Sequence, residues 1–275
     1  NMVWLSLSAR ILINVEALNM VESVGNYTRH RRAPLIVFDP EERKYTVKYV
    51  PAISGESVAH GYQELLAKIA EERGINVCER CKRGEFIKRG DLKHLKEDKL
   101  EEPKKIDDIP LFEKSVIEKC VVEDVGGFMY PGAIPVKRTS CIHFGYLLPA
   151  VEDFTASALE PQFHVRYSTG GKEGQMIYYV ETGSAVYVLS SALDISRIGK
   201  TSMLKIEPAA NDRDKRIEAS IDALYLLAVH GLFGAKRTRF LPGYTVLSMV
   251  VSISEKLPFI VKPGHSKDYI EETVK

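Results

Sequence analysis

The first segment of the chain alternates between hydrophobic and polar positions with little interruption. Hydrophobic residues occupy every second position from Val3 to Val15, and mainly serine, arginine and asparagine lie between them. A period of two residues is typical of a β-strand that buries one face. We therefore predict a long first strand whose other face is largely free.

Two later segments follow a helical pattern instead. In the first, Ser54 supplies an N-cap, hydrophobic residues recur every three or four positions, and Gly74 ends the helix. In the second, Asn211 and Asp212 begin the helix, and Gly231 and Gly234 end it. Short hydrophobic runs predict further strands at 45–50, across 141–193 and at 244–254.

The predicted elements follow the order β, α, β, β, α, β, which is the order of the ferredoxin-like fold. We expect an α+β protein: a ferredoxin-like (RRM-like) palm with large inserted finger and thumb elements. Residues 1–74 and 139–275 would form the core. Residues 75–138, which begin with a Lys- and Glu-rich stretch, would form an inserted and largely solvated subdomain. A thumb-like hairpin at 168–183 would lie within the core.

Composition restricts the kind of site that the chain can carry. The 275 residues contain 38 Lys and Arg against 37 Asp and Glu, a net charge of +1, with 45% hydrophobic and 27% charged residues. Binding of nucleic acid through bulk charge is therefore not expected, and any such site must be a local patch. No apolar run reaches the roughly 18 residues of a membrane span, so we expect no membrane partner. Four cysteines favour a reducing cytoplasmic location.

Three short basic clusters lie beside predicted strand or helix ends. They are Arg29-His30-Arg31-Arg32, Lys137-Arg138 and the cluster of Lys236, Arg237 and Arg239. The planar guanidinium of arginine pairs with phosphate through two hydrogen bonds. One interpretation is a groove that binds a phosphate backbone, and the alternative is a set of solvated loop charges.

Two histidines have distinct sequence settings. His164 shares one face of its predicted strand with Gln162 and Arg166. Such a polar face is expected to contact solvent or a polar ligand. The alternative is a half-exposed edge strand that binds no ligand. His60 lies on the flank of the first helix. For His60 we favour a partly buried histidine with a structural role.

The spacing of the cysteines is compatible with a zinc site or a disulfide. Cys78 and Cys81 form a CxxC with His94 thirteen positions after Cys81, which is half of a zinc site, and Cys120 or Cys141 would have to complete it. The cysteines could therefore bind a structural zinc ion or form a disulfide.

The sequence contains no GxSxG, HExxH, P-loop or dinucleotide fingerprint, so we expect no catalytic residues and no cofactor.

Several longer strings together resemble one known family. These are LNMVESVGNYTRHRRAP, VPAISGESVAHGYQ, DVGGFMYPGAIPVKRTS, EPQFHVRYS and FGAKRTRFLP. They resemble the backbone subunit of the archaeal type I-A CRISPR Cascade complex, a DevR-like branch of the RAMP superfamily. The resemblance implies a non-catalytic scaffold whose copies stack head to tail along crRNA, beside other Cascade subunits, and present the guide for pairing with target DNA.

The resemblance also implies which residues contact RNA, with Leu147 as an apolar wedge against a displaced base. The implied residues are Asn19, Asn26, Arg29, His30, Arg31, Arg32, Ser54, His60, Lys137, Arg138, Leu147, His164, Arg166, Lys236, Arg237 and Arg239. Related type III subunits cut RNA with an aspartate in the loop after the first strand. The corresponding loop here, SVGNYTRHRR, contains no aspartate, so we do not expect slicing.

Two alternative functions compete with the scaffold. One is a metal-independent endoribonuclease that processes CRISPR transcripts, with His164 or His30 in acid-base roles. The other is a structural oligomer that binds no RNA.

Overall fold

A central, mostly antiparallel sheet and two long helices organise the chain in the computed structural model, which describes residues 3–16, 20–24, 27–150, 158–166, 176–234, 241 and 243–275. In this part of the chain the strands are β1 (Trp4–Glu16), β2 (Met20–Val24), β3 (Tyr27–His30), β4 (Arg32–Asp39), β5 (Lys44–Pro51), β6 (Phe128–Tyr130), β7 (Val136–Arg138), β8 (Ile142–Phe144), β9 (Leu148–Pro149), β10 (Ala158–Arg166), β11 (Met176–Asp194) and β12 (Gly243–Ser254). The helices are α1 (Gly55–Glu72), α2 (Glu79–Lys82), α3 (Leu92–Glu97), α4 (Ile109–Lys119), α5 (Val121–Gly126), α6 (Arg213–His230) and α7 (Tyr269–Val274).

Strand β1 occupies the middle of the main sheet. It pairs antiparallel with β11 from Trp4, opposite Asp194, to Glu16, opposite Thr182. On its other side it pairs antiparallel with β12, with a register shift between Arg10 and Ile11. Strands β8, β9 and β10 also pair antiparallel with β11. The fold is therefore a mixed α/β structure with antiparallel sheets.

The two predicted long helices are confirmed, and both contribute to the main core. In α1, the Ser54 hydroxyl accepts a hydrogen bond from the backbone N–H of Ser57 at 3.3 Å, which is the predicted N-cap. Helix α6 ends where Gly231 adopts a left-handed conformation. The hydroxyl of Tyr62 donates to the backbone oxygen of Ser220 at 3.0 Å and so joins the two helices. Their buried side chains share one hydrophobic cluster with the apolar face of β1.

The opposite face of β1 differs from the prediction. Ser6, Ser8 and Arg10 are buried, although we expected this face to be largely free. The backbone N–H of Val261 donates to Ser6 Oγ at 3.1 Å, and Arg10 Nη1 donates to the oxygen of Gly264 at 2.9 Å. The expectation was wrong because a polar strand face can be covered by chain whose backbone groups it satisfies.

The segment between α1 and β8 has a core of its own, so the expected largely solvated insertion is also wrong. Helix α4 and strands β6 and β7 enclose a second cluster of buried side chains, which are Leu95, Ile109, Phe112, Val116, Phe128, Tyr130 and Val136. The Lys- and Glu-rich composition hid these apolar positions because they are spread over several short elements. The predicted boundaries 75–138 remain a prediction.

The described helices fall short of what a bilayer requires. Within the described ranges, none is both long enough and apolar enough to span a membrane.

Candidate nucleic-acid interface

Two neighbouring clefts lie between the start of α1, strand β8 and the segment that carries β6 and β7. The smaller cleft, about 340 Å³, is lined by Gly55, Tyr146 and Lys88 among others. The larger, about 780 Å³, includes Lys88 and Lys137 in its wall. Both clefts share Lys88, Gly126 and Ser140. We call these two clefts, with Arg31 at their edge, the basic groove.

Close packing against β8 places the start of α1 in the groove. A side chain at Gly55 would put its Cβ 2.7 Å from the backbone oxygen of Phe144, so only glycine fits this approach. The positive end of the dipole of an 18-residue helix favours anions. Glu56 is the acidic side chain that lines this end of the groove.

The edge of the groove carries part of the first basic cluster. Arg31 Nη1 donates to the hydroxyl of Tyr146 at 3.3 Å, and Tyr146 lines the smaller cleft. Arg29 and Arg32, on either side in sequence, are exposed to solvent. The structure therefore brings a cationic surface next to the groove at the junction of β3 and β4.

Lys88 lies where the two clefts meet, and the sequence analysis missed it. Its Nζ donates to the backbone oxygen of Gly126 at 3.0 Å. Burial lowers the pKa of this amine. The lysine stands in a run of charged residues with no periodic pattern, so only the fold separates it from its solvated neighbours.

Adjacent residues of the second basic cluster point to opposite sides of β7. Lys137 is exposed and lines the larger cleft. Arg138 is fully buried, with Nη1 2.9 Å from Glu113 Oε1 and Nη2 2.6 Å from Asp124 Oδ1. We therefore correct the expectation for Arg138, because its guanidinium is used within the protein and does not reach the surface.

A second arginine completes this buried ionic cluster. Arg216 Nη1 lies 3.1 Å from Asp124 Oδ2, so Asp124 joins β7 to α6. Burial disfavours the charge of Arg138, but Asp124 and Glu113 hold the pKa of its guanidinium above the ordinary value. The cluster therefore has a structural role.

Three more predicted contact residues are buried. His30 has 2% of its surface exposed, and its Nδ1 lies 2.9 Å from the backbone oxygen of Arg31. Ser54 caps α1. Leu147 is fully buried in the main core, and its backbone pairs with that of Ile53. We correct these expectations also, because none of the three side chains faces the surface.

His60 is more exposed to solvent than we predicted. Its side chain is 54% exposed, so it is not the partly buried histidine we favoured. Nε2 lies 3.4 Å from Glu64 Oε1, and the ring meets Phe86 edge-on with centroids 4.9 Å apart. His60 therefore remains available at the surface of α1.

The remaining predicted residues stay predictions. His164 and Arg166 lie on β10, opposite Tyr178 and Met176 of β11, and their side chains fall outside the described residues. Residues wholly outside the description are Asn19, Asn26, Lys236, Arg237 and Arg239. Of the predicted thumb, residues 168–175 also lie outside, and 176–183 belong to β11.

The four cysteines occupy two separate sets of contacts. Cys141 lies within 3.8 Å of Arg138 Nη2. The thiols of Cys78, Cys81 and Cys120 come within 4.8 Å of one another and could hold a metal ion. Cys120 rather than Cys141 therefore joins the CxxC.

Comparison with known proteins gives a consistent result. The model of the family described as "CRISPR-associated negative auto-regulator DevR/Csa2" matches residues 7–274. "CRISPR-associated protein Cas7/Csa2 1" of Saccharolobus solfataricus is 44% identical over 282 residues, which cover 98% of this chain and 86% of that protein. "CRISPR-associated aCascade subunit Cas7/Csa2 2" of the same organism is 43% identical over 274 residues, covering 97% and 84%.

A solved chain is also similar in structure. It comes from a "CRISPR RNA-guided surveillance complex" and aligns over 93% of this chain and 71% of its own length. The TM-score is 0.49 and the sequence identity 8%, so this likeness carries no argument about function.

Proposed function

The chain belongs to the CRISPR-associated DevR/Csa2 family, as its sequence motifs indicate, and we propose that it is a non-catalytic crRNA-binding backbone subunit of a type I CRISPR surveillance complex. Copies of the chain would polymerise along the guide RNA and present it for pairing with target DNA. The observation that carries this proposal is the basic groove, which combines Arg31, Lys88, Lys137 and the start of α1. A relative described as an aCascade subunit supports the other Cascade subunits as partners.

The order of the main sheet supports a ferredoxin-like palm. In the sheet, the neighbouring strands β12, β1, β11 and β8 are each antiparallel to the next. Helices α1 and α6 share the core on the apolar face of β1. That arrangement fits a βαββαβ unit. The finger would be the segment 75–138, and the thumb would be the hairpin 168–183.

The groove suits a ligand that is held by its backbone. Positive groups at Arg31, Lys88 and Lys137 follow one groove, as phosphates follow one strand of RNA. Contacts to phosphate and sugar fix position without reading sequence, which leaves the base edges free for a target strand. A net charge of +1 also allows copies of the chain to stack without strong mutual repulsion.

The groove offers little for acid-base chemistry, which supports a scaffold over the endoribonuclease. Among the described residues that line it, there is no histidine, and Glu56 is the single carboxylate. His30, one candidate base, is buried. General acid-base catalysis needs a donor or acceptor within hydrogen-bond reach of the substrate.

The test is to incubate the purified full chain with repeat-spacer RNA and follow binding and RNA length together, with EDTA added to a parallel sample in which RNA length alone is followed. We expect binding that weakens steeply with salt, and RNA of unchanged length. A defined cut would support the endoribonuclease instead. Failure to bind at low salt would reject both RNA-binding functions and leave the structural oligomer.

A further inference from the structure

Four potential metal ligands, Cys78, Cys81, Cys120 and His94, lie near one another, outside the residues that line the basic groove. The sulfur atoms of Cys78, Cys81 and Cys120 lie within 4.8 Å of one another, and ligand atoms of Cys78, His94 and Asp98 lie within the same limit. All four cysteines of the chain are free and buried. Cys78 belongs to both groups, so it links the three thiols to the histidine.

The backbone around these side chains holds them in place. Cys78 precedes α2 and Cys81 lies within it, and the N–H of Gly84 donates to the oxygen of Cys81 at 3.1 Å. Cys120 stands between α4 and α5, and its neighbour Val121 donates to the backbone oxygen of Asn76 at 2.9 Å. That hydrogen bond brings Cys120 to the CxxC from 39 residues further along the chain.

His94 is a buried side chain that lacks the partners its polarity requires. It is 1% exposed, and within the described part of the chain neither ring nitrogen has a hydrogen-bond partner. Its backbone N–H donates to Asp91 Oδ1 at 2.7 Å, which fixes the start of α3. An unpartnered buried imidazole is costly unless something binds it.

A carboxylate stands behind the histidine. Asp98 Oδ2 lies 3.5 Å from His94 Nε2, and Asp98 also pairs with Arg89 Nη1 at 2.6 Å. A carboxylate beside one nitrogen of a histidine orients the ring and leaves the other nitrogen for a metal. Glu123 pairs with Arg89 at 2.7 Å as well, so two carboxylates face one guanidinium, and the excess of negative charge favours a further cation.

We propose that Cys78, Cys81, Cys120 and His94 form a structural zinc site. Three thiolates and one imidazole in a closed, buried setting are a donor set that suits tetrahedral Zn²⁺. Binding would release a proton from each thiol, and the ion would offset the thiolate charge. The zinc would fasten α2, α3 and the α4–α5 junction together, and thus attach the insertion to the main core, which contains all three thiols. This inference is independent of RNA binding.

The test measures metal content of the full chain purified in the presence of zinc and without chelator. We expect about one zinc ion per chain, as in structural sites. Cys81→Ser and Cys120→Ser should lose most of this zinc. Cys141→Ser is the matched control, because Cys141 is equally buried but lies by Arg138, and it should keep the full amount.

Cobalt gives a second measurement that needs no variant. Wild-type protein loaded with Co²⁺ should show the visible absorption of a tetrahedral cobalt site together with thiolate-to-cobalt charge transfer. Protein without zinc that also lacks these bands would overturn the proposal. If metal-free protein has a mass two hydrogens below that of the reduced chain, the cysteines form a disulfide, and the zinc site is wrong. Equal zinc loss in Cys141→Ser and Cys120→Ser would also overturn it.

Discussion

Arg138 and Asp124 form an ion pair in the protein interior, with Nη2 of the arginine 2.6 Å from Oδ1 of the aspartate and both side chains fully buried. Lys137, the preceding residue on β7, faces the basic groove. The alternation of a strand thus gives two adjacent cations different roles. One holds the core together, and the other is available to a ligand.

Replacing Arg138 should therefore damage stability before it affects binding. Arg138→Met leaves Glu113 buried without its cation and Asp124 with Arg216 as its remaining cation, and breaking a buried ion pair typically costs about 3–5 kcal/mol. Urea unfolding measures this loss. Lys137→Ala is the control and should stay within about 0.5 kcal/mol of wild type. Equal stability of the two variants would contradict the assignment.

Groove cations should determine the salt dependence of RNA binding. Each phosphate contact on single-stranded nucleic acid contributes a slope of about 0.7 in the logarithmic plot of affinity against salt. Combined Arg31→Ala, Lys88→Ala and Lys137→Ala should thus flatten the slope by roughly 2. Fluorescence anisotropy with a labelled RNA over a range of salt concentrations measures it.

The matched control for the groove variant removes three lysines elsewhere. Lys44, Lys114 and Lys205 are side chains outside the lining of the two clefts, and each lies near a glutamate. Their triple alanine variant changes net charge equally, so it should keep the wild-type slope. If both triple variants flatten the slope alike, the binding surface is not the groove.

Leu147 and Tyr146 provide another pair of neighbours with different roles. Leu147→Ala leaves a cavity in the core and should cost about 2–5 kcal/mol. Tyr146→Ala removes an exposed ring that contacts Arg31, so it should weaken RNA binding with little change in stability. Thermal unfolding and RNA anisotropy on both variants decide this. A stable Leu147→Ala protein with impaired RNA binding would restore the wedge that we rejected.

Low pH should destabilise the folded chain through His265, which follows Gly264 in the segment that covers the polar face of β1. Burial, and then the positive charge of Arg10, lower the pKa of His265 in the folded chain. The unfolded chain thus binds a proton more readily, so this contribution to stability is complete above the unfolded pKa of about 6.5 and declines as pH falls below it. Unfolding measured between neutral and acid pH should show this loss, and His265→Asn should reduce it.

His143 must be included in that experiment. Burial lowers its pKa as well, so it adds to the same loss of stability in acid. His143→Asn should reduce the pH dependence separately, and the double variant should reduce it further. A His265→Asn curve parallel to that of wild type would show that His265 does not contribute.

Local sequence pattern predicted the elements whose signals are local. The alternation from Val3 to Val15 predicted β1, and the serine and glycine at the ends of α1 predicted its limits. The same alternation could not reveal that Ser6 and Ser8 are buried. Their cover is the segment near Gly264, more than 250 residues away in sequence.

Positions within the site depended on long-range packing in the same way. Arg138 looked like a surface cation because its two buried acidic partners, Glu113 and Asp124, lie in other elements. Its place next to exposed Lys137 in a strand was a usable signal, since neighbours in a strand face opposite sides. Lys88 had no comparable signal. Cys120 was named as a possible partner of the CxxC, but spacing did not separate it from Cys141.

Nuclease protection of RNA by the purified chain tests the central claim most directly. A backbone subunit that polymerises along a guide should protect the bound RNA in segments that repeat at a regular interval. The protected segments should disappear at high salt, where phosphate contacts are lost. RNA that is digested evenly at low salt, with the protein present in excess, would contradict the account.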